Sequence, residues 1–119
     1  MTASLVVLVT CPTQRHARQI ATMLVRKRVA ACVNVLPRVE SFFWWKGRID
    51  HADETLLIIK TTTRAFERLR RTVCALHPYE VPEVLALSIT AAHHPYLTWL
   101  QESVGAKPIS TRRQDADER

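Results

Sequence analysis

Ser41-Phe42-Phe43-Trp44-Trp45-Lys46-Gly47 decides how this chain is read: four consecutive aromatics lead into one of only two glycines in 119 residues. Upstream, Val29 to Phe43 is apolar and β-branched, with Pro37 as an interruption that must fall at an edge or a bulge. Downstream, Thr55 to Thr62 has the same character. Gly47 is the natural turn between them, so the two stretches read as one long antiparallel hairpin with arms from about Val29 to Lys46 and from Arg48 to Thr62. Strands of small sheets usually need about five or six residues. These arms overshoot any core, and their aromatic tip exposes apolar surface on both sides of a ribbon, an aggregation hazard unless it is covered. A second copy of the chain is the economical cover, through edge pairing and aromatic burial. A cluster folded back on its own chain is the alternative.

The flanks of the hairpin share one plan. Ser4 to Thr10 is a short apolar strand, and after Pro12 the stripe Ala17, Ile20, Ala21, Leu24, Val25 marks an amphipathic helix begun by Pro12 or Thr13. Beyond the hairpin, Thr61 to Thr63 offer cap oxygens to a second helix with the stripe Phe66, Leu69, Val73, Leu76. Val84 to Ile89 follows as a fourth strand. A short C-terminal helix then takes Pro95 into its first turn and turns Tyr96, Leu97 and Leu100 inward. Strand, helix, strand, strand, helix, strand is the order of two split βαβ halves, an α+β ferredoxin-like βαββαβ sandwich with strands one and three central. One domain is expected over 1–106, and 107–119, mixed in charge with one bulky apolar side chain, reads as a disordered tail.

A hydrophobic fraction of 47% supplies a core, yet no apolar run reaches the roughly 18 residues of a membrane span. The Leu5 to Val9 run has no basic residue before it, so no leader is read and the expected compartment is cytoplasmic. Three cysteines, an odd number, suit a reducing compartment, and Cys32 and Cys74 read as small buried hydrophobes. The net charge of +6 is unevenly spread: Pro12 to Arg28 holds five cations and no acid. That run is either a nucleic-acid footprint or a solvated helix face, and the second is favoured.

Chemistry concentrates in His77-Pro78-Tyr79-Glu80-Val81-Pro82-Glu83, where two prolines stiffen a corner between helix and strand. Cys11, just before the first helix, is expected to have its thiol pKa lowered by the helix dipole. Cys11, His77 and Glu83 are therefore candidate metal ligands, a set suited to copper or zinc rather than magnesium or calcium. Without a CxxC or HxxxH pair, any such site is weak and partly open, not a closed structural zinc. Trp45, Lys60, Tyr79 and Glu83 are candidates for a cleft that takes a small anion. Lys60 interrupts an apolar strand and is expected to snorkel or to pair with Glu54 or Glu83. His93 and His94 are adjacent, chelate poorly, and read as solvent-facing or capping. No orienting third group accompanies Cys11 and His77, so the chain does not read as an enzyme. An RNA-binding sheet is disfavoured because Leu56-Leu57-Ile58-Ile59-Lys60 lacks the aromatic and glycine pattern of such surfaces.

Thr10-Cys11-Pro12, Val29-Ala30-Ala31-Cys32-Val33-Asn34, the aromatic tip, Glu54, Lys60-Thr61, the His77 corner and Tyr96-Leu97-Thr98-Trp99-Leu100 resemble, in order and spacing, the CutA divalent-ion tolerance family. The resemblance covers roughly residues 4 to 100. It implies a PII-like homotrimer that pairs its long arms between subunits, binds copper or another divalent cation weakly, and acts in metal tolerance. A small-molecule or signalling module with pockets at subunit boundaries is the alternative that the resemblance implies. Three positions depart from the family's usual residues: Phe43 stands in place of a tyrosine, Lys46 of a glutamate, and Leu76 of a histidine found in some members.

Overall fold

Antiparallel pairing organises the computed structural model, which describes residues 3–105. The elements run β1 (Ser4–Cys11), α1 (Gln14–Arg26), β2 (Cys32–Trp45), β3 (Arg48–Thr62), α2 (Thr63–Leu76), β4 (Leu85–Ser88) and α3 (His94–Ser103). Four strands form one sheet in the order β2-β3-β1-β4, so β1 and β3 are central, as the split βαβ plan requires. The expected tail, 107–119, lies outside the described residues.

The hairpin is as long as the sequence suggests. Pairing runs from Trp45↔Arg48 at the tip to Cys32↔Lys60 at the base, and Lys46 (φ 51°) and Gly47 (φ 80°) form the two-residue turn. Positive φ at both turn positions is the geometry that matches the twist of the strands they join. Pro37 falls where the register slips between Leu36 and Val39, next to Arg38 at φ 63°, on the edge strand that has no neighbour needing its amide.

Alternation along β1 divides the sheet into two faces. Leu5, Val7 and Val9 of β1 join Leu57 and Ile59 of β3 beneath Ile20, Leu24, Leu69 and Val73 of the two helices. Burying each such side chain stabilises the fold by roughly 1.5–3 kcal/mol. The helices start where threonines cap them: Thr13 Oγ1 accepts from the His16 amide (3.1 Å), and Thr62 Oγ1 from that of Ala65 (3.3 Å). Pro12 thus lies before the cap and outside the helix. His93 takes the N-cap position of α3 without a side-chain cap bond, and Leu100 is buried.

The opposite sheet face carries Val6 and Leu8 of β1 in register with Ile58 and Lys60 of β3 and with Leu85 and Leu87 of β4. Neither α1 nor α2 covers it; α3 meets only its Ser4 end, where Gln101 Nε2 donates to Ser4 Oγ (3.3 Å), and Leu85 and Leu87 are 56% and 51% exposed. Two expectations change here. Strand β4 is four residues long and exposed, because among the described residues it is an edge strand with no strand on its outer side. Cys32 is half-buried on the open sheet face and Cys74 is exposed, so neither is a buried hydrophobe. Cys74 follows Val73, and the 100° step of a helix carries it away from the core.

Candidate functional site

The corner that follows α2 closes against the end of β1. His77, the C-cap of α2, is buried and lies beside the last residues of β1. Its Nε2–H donates to the Thr10 carbonyl (2.7 Å), and its Nδ1 accepts from the Tyr79 amide (3.1 Å). Those partners fix the tautomer with hydrogen on Nε2. The Tyr79 ring sits 4.8 Å from the imidazole, and its hydroxyl donates to Glu54 Oε2 (2.8 Å). Glu54 arrives from β3, where its neighbour Thr55 pairs with Cys11. Four functional side chains from three parts of the chain, Cys11 of β1, Glu54 of β3 and His77 and Tyr79 of the corner, thus meet at one end of the sheet.

Their electrostatics follow from burial and from one carboxylate. Burial, and then Glu54, push the Cys11 thiol up from 9.0 to about 11. Cys11 is therefore a protonated thiol. The helix dipole does not make it a thiolate, because desolvation and a nearby anion both favour the neutral form. Burial also raises the Tyr79 phenol to about 12, helped by the hydrogen bond it gives to Glu54. An open cleft of about 450 Å³ adjoins this cluster, lined by Pro12, Thr13, Arg38, Asp53, Glu54 and other residues.

Cys11, His77 and Tyr79 are brought together, but Glu83 is exposed in the link before β4. Both imidazole nitrogens are engaged and the thiol holds its proton, so the donor types suit a borderline cation while their state does not. Among the described residues no three His, Cys, Asp or Glu side chains group closely enough to hold a metal ion. The anion-cleft candidates are also spread out within one chain. Trp45 is at the hairpin tip and Lys60 at the base, twelve residues along β3 from Trp45's partner Arg48, or roughly 40 Å at the rise of a strand. Lys60 pairs with Asn34 Oδ1 across the hairpin, not with Glu54 or Glu83. Residue-by-residue reading missed Arg38 and gave Glu54 no role at the corner. The bulge at Pro37 was the available signal for Arg38, and a lone acid in an apolar strand the signal for Glu54.

Residues 5–103 match the family model described as CutA1 divalent ion tolerance protein. The chain belongs to the CutA1 family. It is 49% identical over 100 residues to the divalent-cation tolerance protein CutA of Thermus thermophilus, covering 84% of this chain and 97% of that one. Human protein CutA is 44% identical over 94 residues, 79% of this chain, which spans about half (52%) of the human protein's length. Solved CutA1 structures agree: that from Thermus thermophilus has a TM-score of 0.85 at 48% identity, covering 86% of this chain and 99% of that one. CutA1 from Oryza sativa also gives 0.85, at 40% identity over 88% of this chain and 96% of that one. The four-stranded sheet, long hairpin and C-terminal helix are thus features of CutA1 structures.

Proposed function

We propose that this chain acts in divalent-cation tolerance as a homotrimer that covers its hairpin tips and open sheet face with copies of itself. One observation carries the assembly: Phe42, Trp44, Trp45 and Ile49 are 66%, 73%, 58% and 66% exposed on a ribbon beyond the core. Large apolar side chains concentrated in this way mark an association surface. Family membership and the names of its relatives support the tolerance role. Light scattering tests the assembly: a species of three times the 13.6 kDa chain mass is expected, and a stable monomer at micromolar concentration refutes it.

Within this reading, a copper-like cation binds weakly through Cys11 and His77, with Glu83 from the same or a neighbouring copy. Weakness follows from the free state, since the thiol must release a proton and the imidazole must give up a partner. Calorimetric titration of the reduced protein with copper or zinc checks this. Affinity should rise with pH and fall in Cys11→Ala and His77→Ala; equal affinity in all three proteins removes these ligands. No catalytic step belongs to the proposal, because a sealed, protonated Cys11 is a poor nucleophile. Three free cysteines support a reducing, cytoplasmic setting.

The cleft of about 450 Å³ beside Glu54 and Arg38 favours a second reading, a small-molecule module. Trp45 and Lys60 could line one pocket only when contributed by different copies, so such a pocket would lie at a subunit boundary.

A further inference from the structure

We propose that the outer face of the two long helices carries a separate site for a compact polyphosphate group, centred on Lys27, Arg68 and Arg71. These three cations line an open cleft of about 310 Å³ between the end of α1 and the middle of α2, with Val29 and Ala75 also in its wall. Arg68 and Arg71 stand three residues apart and so project from one face of α2. Lys27 comes from the C-cap of α1, where it also offsets the negative end of that helix, leaving the arginines to carry most of the attraction.

The acid nearest in sequence does not neutralise the group. Glu67 makes a two-pronged contact with Arg70, whose Nη2 and Nε lie 2.6 and 3.0 Å from its two carboxylate oxygens. Its charge reaches Arg71 as well, but Lys27, Arg68 and Arg71 form no ion pair among the described residues. Three positive charges held round one small concavity repel one another, and an anion of two or more charges relieves that repulsion. Guanidinium forks match phosphate oxygens two at a time, which favours a di- or triphosphate over a monocarboxylate.

A nucleic acid fits less well. The cations converge on one cleft instead of tracking along a groove, and the cleft wall has no aromatic side chain on which a base could stack. The cleft also lies across the molecule from the open sheet face and contains none of the residues at the Cys11–His77 corner. It is thus independent of the metal-tolerance reading.

Tripolyphosphate is the probe, titrated by calorimetry at about 50 and about 200 mM salt, with binding weaker at the higher concentration. Arg68→Glu/Arg71→Glu should lose at least about tenfold in affinity, while Arg15→Glu/Arg18→Glu, with the same change in net charge, stays within about twofold. Arg68→Gln/Arg71→Gln, which adds no acid to the helix, should move affinity in the same direction by a smaller factor. These are surface positions, and unchanged thermal unfolding verifies the fold of each variant. Absence of binding to the unmodified protein overturns the proposal. Equal losses in the two glutamate variants do so too, because net charge alone would then suffice. Tighter binding of a single-stranded oligonucleotide, weakened by both variants, would replace the site with an extended nucleic-acid surface.

Discussion

The two halves of this molecule are charged in opposite styles. Residues 14–28 and 63–76, the helices and the end of α1, hold nine cations and one acid, whereas the hairpin region, residues 29–62, holds four of each. The helix side is thus strongly positive, and the hairpin is neutral and apolar at its tip. Copies that approach helix to helix repel, while copies that approach along the hairpin and open sheet face lose little electrostatically and bury apolar surface. In the proposed assembly, charge would thus select the face that associates, and hydrophobic burial would stabilise the contact.

The largest effect should come from breaking the apolar side. Trp44→Lys/Trp45→Glu puts charges at the tip without touching the core, and the mass by light scattering should fall to that of a single 13.6 kDa chain. Thermal stability should fall with it, since protomers that stabilise one another do so by mass action. A mass that does not change would locate the interface elsewhere and reverse the contrast between the two faces.

Smaller, but still several kilocalories, is the effect of alkali on the corner where the hairpin meets the helices. Cys11 holds its proton to about pH 11 in the folded chain, against 9.0 for an ordinary thiol. Below pH 9 both states keep the proton, so the stabilisation is fully present. As pH rises from 9 to 11 only the unfolded state releases it, and the protein loses roughly 3 kcal/mol, two pKa units' worth. Tyr79, raised from 10.0 to about 12, extends the decline in the same direction. Melting temperatures recorded between pH 8 and 11 should therefore hold up to about pH 9 and then drop, and Cys11→Ala should flatten the first part of that drop. An unmodified protein whose stability is constant over that range would show that the thiol is not sealed.

Tyr79→Phe removes one hydroxyl and leaves the buried Glu54 without its donor, at a cost of about 1–3 kcal/mol in denaturant unfolding. A change below about 0.5 kcal/mol would mean that solvent from the adjoining cleft replaces the phenol.

These contacts also separate what the sequence makes legible from what it hides. Local signals sufficed for the hairpin turn at Lys46-Gly47, for the threonines that cap α1 and α2, and for the helix stripes, since each depends on residues a few positions apart. The order of elements then dictated the sheet. Partners brought from afar were another matter. The visible dipole of α1 predicts a thiolate at Cys11, yet burial and Glu54, 43 residues away, reverse it. Lys60 is instructive in the same way. Counting back from the turn without a slip pairs Lys60 with Val33, but the bulge at Pro37 shifts the register by one. Lys60 then faces Cys32, and Asn34 comes onto the same side of the sheet and becomes its partner. Proline announced that a bulge was due, but not which residues would meet beyond it.

The finest distinction between the two halves concerns the turn that aims the aromatics. Gly47 has φ +80°, and a Cβ built there meets nothing within 4 Å, so Gly47→Ala introduces backbone strain without a steric clash. A left-handed conformation costs an alanine about 1–2 kcal/mol. If partner copies hold the ribbon in place, that cost should appear as a small drop in melting temperature with the mass unchanged. If instead the turn alone holds Trp44 and Trp45 in position, the same strain should dissociate the assembly at low protein concentration. Measuring mass across a dilution series decides between the two, because only in the first case does the helix side's repulsion leave the copies with a single, firmly fixed way to meet.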